Sequence, residues 1–272
     1  MNIDAYLARI GLDHRPPPTL KGLTEVHRAH MLAIPYENLD VQLGRPVTIA
    51  RPAIYEKIVN RRRGGWCYEM NGILGWAMGE LGFRVTRATG AVMREAAGET
   101  AVANHLVLKV ELDEGLYLAD VGFGDGPLDP IRLAPGTFSS NGYVYGLSRA
   151  DGDWWRLRSH PNGAAPSFDF DLDPADETRF AAKCEELQTA PDSHFVQNLF
   201  CFRHHPDGTV LLLRGRVLRT VTPAGYADRV LDSAEDLVAT LRDGFSLDLP
   251  EAATLWPKIV ARHEQVMGRP AP

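Results

Sequence analysis

The stretch that decides the fold of this chain is residues 63–71, RGGWCYEMN. Its two glycines allow the backbone to turn sharply and to approach a neighbour closely. Cys67 then begins an apolar pattern at helical spacing, which predicts a helix that ends at Gly82. In the first turn of such a helix, unpaired amides and the helix dipole favour a thiolate over a thiol. The local residues alone also allow a packed core cysteine beside a Gly-Gly turn.

The composition is that of a globular chain of 272 residues, with 44% apolar and 24% charged residues. At about 100–200 residues per domain, this length allows one large domain or two to three small ones. Acidic residues outnumber basic ones, 35 to 29, so the net charge of -6 argues against nucleic-acid binding through a basic face. No apolar run reaches the roughly 18–20 residues of a membrane span. The first residues lack signal-peptide features, and three sparse cysteines favour free thiols in the cytoplasm.

The period of the hydrophobic pattern changes along the chain. Residues 1–85 show helical spacing, including one stretch that opens at Thr19 and another that begins near Pro52. From residue 105 the pattern alternates, and short strand-like runs continue to residue 213, interrupted by a helical stretch at 176–190. Helices followed by strands and then by mixed elements predict an α+β fold with segregated domains. The short, evenly spaced strands favour a small antiparallel barrel or sandwich.

A thiolate nucleophile requires a base, and the base requires a group that orients it. His105, at the start of the first strand, and Asp120, near the end of the returning strand, are the candidates. Without Cys67, a satisfied core histidine would be the default interpretation. A two-residue loop at Glu114-Gly115 would leave the pair several positions out of register, and a three-residue loop would put it on opposite faces. A bulge, a strong twist or a different pairing is therefore expected.

The remaining histidines and cysteines are interpreted as structural. His27, His30 and the adjacent residues 204–205 lack the spacing of a metal motif, so surface histidines and no metal site are predicted. Cys184 and Cys201 lie in helical and apolar stretches, which is typical of core residues.

The most basic local stretch contains Arg203, Arg214, Arg216 and Arg219 together with the two adjacent histidines. These side chains could meet phosphate groups, although solvated strand faces are the commoner explanation. The glycine-rich segment 122–126 has neither the Walker nor the dinucleotide-binding pattern. It is therefore either a loop beside a ligand or a plain turn.

Several segments occur in a telling order: PYENL at 35–39, RGGWCYE at 63–69, the strand that begins at His105, DVGFG at 120–124, and SHFVQN at 193–198. In this order they resemble the arylamine N-acetyltransferase family. The resemblance covers residues 1 to about 215, and the combination of motifs is highly specific. Tyr36 stands where the family often has phenylalanine, and Trp66 occupies a position that varies in the family.

The resemblance implies a helical domain at residues 1–85 that carries the nucleophile. An antiparallel β-barrel at 86–185 would carry the histidine and the aspartate, and an α/β lid would follow at 186–272. Cys67, His105 and Asp120 would form a Cys-His-Asp triad in a core like that of the cysteine proteases. Glu37 and Arg63 match a pair that links the first helices to the active-site turn.

The implied activity is ping-pong acetyl transfer from acetyl-CoA to an aromatic amine, a hydrazine or an N-hydroxyarylamine. The expected substrate-binding residues are Tyr36, Phe123, Gly124, Phe195 and Phe202. Acetyl-CoA is the only cofactor implied, as a co-substrate, and neither a metal, a nucleic acid nor a membrane is expected. The sequence leaves open whether the chain forms a homo-oligomer.

Three alternatives also remain. A related enzyme could form an amide from a larger acyl thioester, and a thiol hydrolase could use the same triad. A binding module without catalysis is disfavoured, because all three residue types of the triad are present.

Overall fold

The computed structural model describes residues 1–267, and helices dominate its first third. Helices α1 to α5 are Ile3–Arg9, Leu20–Ala33, Leu39–Gln42, Arg51–Tyr55 and Cys67–Glu80, with a π-helical turn at Glu56–Asn60. The hydroxyl of Thr19 accepts the amide of Gly22 and so caps α2. The predicted helix openings at Thr19 and Cys67 are confirmed.

The strands form two antiparallel sheets. In chain order, β1 to β13 are Tyr36–Glu37, Arg84–Val92, His105–Leu112, Gly115–Ala119, Ile131–Arg132, Gly136–Ser140, Tyr143–Arg149, Trp155–Arg158, Ser167–Phe170, Phe200–His204, Val210–Arg214, Val217–Thr222 and Gly225–Val230. The order β5-β4-β3-β2-β9-β8-β7-β6 makes a curled eight-stranded sheet, and the order β1-β10-β11-β12-β13 makes a five-stranded sheet. This arrangement confirms the predicted α+β class.

The later helices lie between and after these strands. Helices α6 to α10 are Arg94–Ala97, Glu177–Thr189, His194–Gln197, Ala234–Phe245 and Trp256–Met267, with 3-10 turns at Gly98–Ala101 and Pro250–Leu255. Across residues 1–267, no helix combines the length and the apolar character that crossing a membrane requires.

Three large apolar cores hold the elements of residues 1–267 together, beside a small cluster of Ala91, Ala101 and Val102. The first joins α1, α2, α4 and α5 to one face of β3 and β4. The second fills the curled sheet and contains Cys67 and most of the aromatic side chains. The third lies between the five-stranded sheet and the helices α9 and α10. Helix α5 therefore lies between the first two cores, with its N-terminus at the second.

The β3–β4 hairpin has a different loop from either one considered above. Leu112 pairs with Gly115, so the two-residue loop is Asp113-Glu114. The ladder ends at the pair Leu108–Ala119, so Asp120 directly follows the last residue of β4. Continuing the same register would put residue 122 opposite His105 and make Asp120 its diagonal neighbour on the same face. Such diagonal neighbours are within reach of long side chains. Both loops considered above are therefore wrong, because the turn lies one residue earlier than predicted, and no bulge interrupts the pairs from Leu108–Ala119 to Leu112–Gly115.

The two-residue strand β1 connects the helical part to the five-stranded sheet. Tyr36 pairs with Phe202 and Glu37 pairs with Cys201, both antiparallel. On its other side, Tyr36 forms a parallel bridge with Gly65. The turn before Cys67 is thus attached, through β1, to strand β10.

Candidate active site

Cys67 is the first residue of α5 and follows a turn that requires glycine at two positions. A Cβ atom at Gly64 would lie 2.0 Å from the carbonyl oxygen of Pro35, and one at Gly65 would lie 2.7 Å from the Cβ of Glu69. Neither position tolerates a side chain without moving the backbone. The Gly-Gly pair therefore sets the path of the chain into the helix and the position of the sulfur.

Five buried charged side chains surround this turn. Arg63 contacts Glu37 at 2.7 Å and Asp40 at 3.2 Å. Lys57 contacts Asp40 at 3.0 Å and Glu69 at 2.9 Å. Each of the five residues is at most 6% exposed. Buried charges persist only when they are paired and hydrogen-bonded, as these are, so the network holds the turn in one arrangement.

The sulfur of Cys67 is buried among polar backbone groups. Only 2% of the residue is exposed, and Sγ donates to the carbonyl oxygen of Asn104 at 3.6 Å. Burial, followed by the charge of Asp120, raises the pKa of the thiol, and the amides of Leu106 and Tyr68 lower it only in part. The N-terminus of the helix does not by itself offset the effect of burial on the pKa of this thiol. A thiolate here requires a positive charge beside it.

His105 and Asp120 supply the means to create that charge. Nε2 of His105 lies 2.7 Å from Oδ2 of Asp120, and both residues are at most 5% exposed. Burial raises the pKa of Asp120, but the charge and hydrogen bond of His105 and two further hydrogen bonds outweigh burial and lower it. The carboxylate therefore accepts the Nε2 hydrogen. Nδ1 keeps its lone pair and is the basic nitrogen of the ring.

Residues from two helices hold Asp120. Asn71, one turn after Cys67 in α5, donates from Nδ2 to Oδ1 of Asp120 at 2.7 Å and to the carbonyl oxygen of Leu106 at 2.6 Å. His27 of α2 accepts the backbone amide of Asp120 at Nε2, 3.2 Å away. Burial lowers the pKa of His27, which keeps this ring neutral and able to accept. Both residues fix where the carboxylate points.

Two further glycines allow the strands to approach the helix and the imidazole. A Cβ atom at Gly122 would lie 2.8 Å from the Cα of Cys67. One at Gly90, which pairs with His105 in the β2–β3 ladder, would lie 2.9 Å from Cδ2 of that ring. Any larger residue would separate the groups that the hairpin and helix bring together.

Cys67 and His105 both line a cleft of about 540 Å³. Four of the five expected substrate-binding residues are in its wall: Tyr36, Phe123, Phe195 and Phe202. The rings of Tyr36 and Phe202 stack with their centroids 5.3 Å apart. Gly124 lies behind the wall, where a Cβ atom would come within 2.4 Å of the Phe202 ring. It supports an aromatic wall residue from behind.

A buried carboxylate anchors the loop that carries Phe123. Asp125 is fully buried, and its Oδ2 accepts the amide of Ala164 at 2.6 Å. Burial raises the pKa of Asp125 to about 6. Because Ala164 also lines the cleft, this contact joins two loops of the wall.

The sequence and the fold are similar to those of known enzymes. A family model described as N-acetyltransferase matches residues 19–254. The arylamine N-acetyltransferase of Mycolicibacterium smegmatis is 38% identical over 262 residues, covering 93% of this chain and 94% of that protein. This chain belongs to the arylamine N-acetyltransferase family. It is a transferase, as its motifs predict.

Solved structures of arylamine N-acetyltransferases share the fold described above. The structure of the M. smegmatis enzyme matches with a TM-score of 0.86 and 36% identity, covering 96% of this chain and 98% of that one. The structure of the Mycobacterium marinum enzyme in complex with CoA matches with a TM-score of 0.86 and 32% identity, covering 97% and 99%. The predicted family membership is confirmed over nearly the whole chain.

Several residues of the site in this arylamine N-acetyltransferase fold were not identified from the sequence. The missed wall residues include Asn104, Pro166, His194 and Phe200, whereas Arg214, noted in the basic stretch, is also in the wall. Phe168 was also missed, although its ring centroid lies 5.0 Å from that of His105 and 4.8 Å from that of Phe123. An apolar residue in a strand gives no signal that separates a wall residue from an ordinary core residue.

The prediction of surface histidines is wrong for three of the four. His27, His30 and His204 are at most 2% exposed, and only His205 is partly exposed. Nδ1 of His30 pairs with the hydroxyl of Tyr6 at 2.8 Å, and burial lowers the pKa of all three buried rings. They are neutral core groups. Within residues 1–267, no three His, Cys, Asp or Glu side chains are arranged to hold a metal ion.

Proposed function

We propose that this chain transfers the acetyl group of acetyl-CoA to arylamines, arylhydrazines and related acceptors by a ping-pong mechanism. The observation that carries the proposal is the 2.7 Å contact between His105 and Asp120, at a cleft that Cys67 also lines. Family membership supports the acceptor class. CoA bound to the M. marinum relative supports the donor.

In the first half-reaction, Nδ1 of His105 accepts the proton of Cys67 while Sγ attacks the carbonyl carbon of acetyl-CoA. The imidazolium supplies the positive charge that the buried sulfur requires, and Asp120 stabilises it. Backbone amides at the start of α5 and near Phe123 donate to the oxyanion. The intermediate expels the CoA thiolate, which takes the proton from His105. One thioester replaces another, so the exchange is nearly isoenergetic.

In the second half-reaction, the amine nitrogen attacks the acetyl carbon of acetyl-Cys67 and gives its proton to His105. The intermediate expels the Cys67 thiolate, which recovers that proton from the imidazolium. The products are the amide and the free enzyme. The aromatic wall around the sulfur favours a flat aromatic acceptor and disfavours water, whose entry would hydrolyse the acetyl-enzyme.

All three segments expected from the sequence contribute to this proposed site. Residues 1–85 supply Cys67, and residues 86–185 supply His105, Asp120 and Phe123. Residues 186–272 supply the wall residues Phe195 and Phe202. The last segment therefore acts as the shield against water.

The test is the intact mass of the protein after mixing with acetyl-CoA in the absence of an amine. We expect one added acetyl group, absent in Cys67→Ala and removed when an arylamine such as 4-aminobenzoate or an arylhydrazine is added. Acetylated amine should appear in the same amount as the acetyl group lost.

Three results would contradict the proposal. CoA release that continues without an amine and is not accelerated by one would indicate a thiol hydrolase. An adduct with a longer acyl-CoA but none with acetyl-CoA would indicate an enzyme for larger acyl thioesters. A fully active Cys67→Ala protein would exclude the covalent intermediate.

A further inference from the structure

One wall of the catalytic cleft is formed by the stretch of chain between β2 and β3. This stretch is residues 93–103, and we call it the wall segment. Four of its residues line the cleft that also contains Cys67: Met93, Ala97, Thr100 and Ala101. Compact loops whose ends lie close together are held by contacts of their own side chains and often carry function. The contacts at the base of the wall segment therefore bear on the shape of the cleft.

The β2–β3 ladder ends at the base of the wall segment. Its final pair there is Gly90 with His105, and the same register would put Ala103 opposite Val92. Ala103 instead has a φ of +68°, in the left-handed region, and its amide donates to the carbonyl oxygen of Gly90 at 3.0 Å. The chain therefore turns away from β2 at this point. The backbone groups of Val92 that face β3 require another partner.

The side chain of Asn104 supplies that partner. Its Oδ1 accepts the amide of Val92 at 2.7 Å, and its Nδ2 donates to the carbonyl oxygen of the same residue at 3.2 Å. A carboxamide carries a donor and an acceptor on one flat group, so it pairs with both backbone groups of Val92 as a neighbouring strand would. We call these two hydrogen bonds the clamp. It joins the ends of the wall segment, because Val92 precedes the segment and Asn104 follows it.

Other contacts hold the wall segment from outside the cleft. Arg94 contacts Asp169 of β9 at 3.2 Å. Lys183 of α7 donates to the carbonyl oxygen of Thr100 at 3.3 Å. These contacts act on the outer side of the wall segment, whereas the clamp acts at its base, beside the cleft.

Asn104 also contacts the proposed nucleophile. Its carbonyl oxygen accepts the Sγ hydrogen of Cys67 at 3.6 Å. The residue therefore touches Cys67 with its backbone and Val92 with its side chain. One residue thus relates the position of the sulfur to the position of the wall segment.

We propose that Asn104 is a specificity-determining residue, because the clamp holds the wall segment at a fixed distance from Cys67 and so sets the width of the cleft for the ring of the acceptor amine. This inference rests on the proposed function, since the acceptor is the second substrate of that reaction. A wall that is held against a single ring stabilises a small acceptor. A wall that can withdraw loses this contact and admits wider ring systems.

The experiment compares a narrow and a wide uncharged acceptor, 4-anisidine and 2-aminofluorene. In a ping-pong reaction, kcat/KM for the amine reports its reaction with the acetyl-enzyme and not the donor step. We expect Asn104→Ala to lower kcat/KM for 4-anisidine by about tenfold, through KM, and to change the value for 2-aminofluorene by about twofold or less. The ratio of the two values decides, because a general loss of catalytic geometry would lower both alike.

Two further variants separate the clamp from other effects. Asn104→Asp keeps the size of the side chain and the acceptor for the Val92 amide, but its carboxylate cannot donate to the Val92 carbonyl oxygen. It should shift the ratio in the same direction as Asn104→Ala. Gln188→Ala is the matched control, since the carboxamide of Gln188 pairs with the amide of Val47 at 2.7 Å and with its carbonyl oxygen at 2.9 Å, away from the cleft. It should lose similar stability and leave the ratio unchanged.

Hydrogen exchange measures the clamp without catalysis. In Asn104→Ala, the amide of Val92 and those of the wall segment should exchange faster than in wild type. Gln188→Ala should instead accelerate exchange around Val47.

An equal fall for both acceptors would overturn the proposal, since Asn104 would then act on the catalytic groups. An unchanged ratio would overturn it too. A shift in Asn104→Ala but not in Asn104→Asp would assign the effect to lost side-chain volume and not to the clamp. If wild type acetylates neither amine, the proposed function fails. Hydrogen exchange would still decide whether Asn104 holds the wall segment, and unchanged exchange in Asn104→Ala would show that it does not.

Discussion

Asn71 connects the helix of Cys67 to both of the strands that carry the other proposed catalytic groups. Its Nδ2 lies 2.7 Å from Oδ1 of Asp120 and 2.6 Å from the carbonyl oxygen of Leu106, and its Oδ1 accepts the amide of Val121 at 2.9 Å. Asn71 is fully buried. One side chain therefore sets the distance between the nucleophile and the base–carboxylate pair.

We expect Asn71→Ala to lower kcat by about tenfold to a hundredfold, because Asp120 loses a partner and no longer orients His105. The rate of Cys67 alkylation by iodoacetamide should fall in parallel, and KM for the amine should change little.

Asn38→Ala is the matched control for this prediction. Asn38 is also buried. Its Nδ2 donates to the carbonyl oxygens of Phe195 and Asn198, and its Oδ1 accepts the amide of Phe200. The two variants should lose similar stability, and only Asn71→Ala should slow alkylation. Equal slowing in both would show that Asn71 has no special link to the catalytic groups.

The reactivity of Cys67 should depend on His105. Burial raises the pKa of the thiol, so a sulfur without the imidazolium is protonated at neutral pH and ionises only as the pH rises far above it. We expect His105→Gln to lower the rate of alkylation at pH near 7 by about a hundredfold, with the rate still rising through alkaline pH.

Wild type should be alkylated at nearly the same rate across neutral pH, and Cys67→Ala gives the background from the other thiols. A His105→Gln protein that is alkylated as fast as wild type would mean that the sulfur does not use this imidazole.

The buried charge network should make stability sensitive to the loss of one member. Lys57→Met leaves Glu69 and Asp40 without that cation, and we expect the free energy of unfolding to fall by about 3–5 kcal/mol. Replacing Lys57 by Met and Glu69 by Gln together removes one charge of each sign and should cost less. Urea unfolding measures both.

The exposed pair of Arg15 with Asp4 provides the comparison, since Arg15→Ala should barely move the unfolding midpoint. If the double replacement costs the sum of its two single replacements, the side chains are not coupled and the network interpretation is wrong.

Asp125 should destabilise the folded protein at neutral pH. Burial raises its pKa to about 6, well above the ordinary value of an aspartate, so the folded state favours the protonated carboxyl. His160 lies 4.0 Å away, but burial lowers its pKa and keeps it neutral. The stability that protonation gives is present at acid pH and is lost as the pH rises through about 6.

Asp125→Asn keeps an acceptor for the Ala164 amide and removes the charge. Above pH 7 we expect it to raise the thermal midpoint, and the gain in the free energy of unfolding should be at most about 3 kcal/mol. Near pH 4 we expect no gain in stability. Asp113→Asn, in the exposed hairpin loop, should show no such pH-dependent gain. A gain for Asp125→Asn that is constant with pH would point to a cause other than buried charge.

Gly124 should control the aromatic wall of the cleft. Its φ is +90°, and a Cβ atom there would lie 2.4 Å from Cδ2 of Phe202. We expect Gly124→Ala to displace that ring and to raise KM for an arylamine by about tenfold, while alkylation of Cys67 changes little.

Gly11→Ala separates backbone strain from the collision with the ring, because Gly11 has a φ of +81° with open space around it. Both variants should lose some stability, and only Gly124→Ala should change KM. A similar KM in Gly124→Ala and wild type would show that the Phe202 ring does not contact the amine.

The sequence predicted what local chemistry determines. The helix that starts at Cys67 follows from its glycines and apolar spacing, and the residue types of the proposed triad follow from their motifs. What it missed depends on partners far along the chain. Lys57 occupies a helical position like any solvent-facing lysine, and only the folded chain brings it to Glu69 and Asp40.

Small residues also explain why the sequence pattern did not predict one central strand. Strand β2, Arg84–Val92, has both β3 and β9 as neighbours, yet its buried positions near the site are Ala88, Gly90 and Ala91. These residues carry little hydrophobic signal, and they are small because the imidazole of His105 and its neighbours fill the space. The predicted register of the hairpin was wrong for a related reason. Gly115 begins the returning strand, whereas a glycine more often lies in the turn itself.

The backbone ladder of β1 limits how the enzyme can open. Because Glu37 and Pro35 are hydrogen-bonded to Gly65 and Tyr36 pairs with Phe202 in β10, the five-stranded sheet cannot hinge away from the nucleophile without breaking that ladder. We therefore expect any widening of the cleft to come from the side chains of its wall. Movements of individual side chains, and not the rotation of a whole domain, would then limit the rate at which substrates enter and products leave.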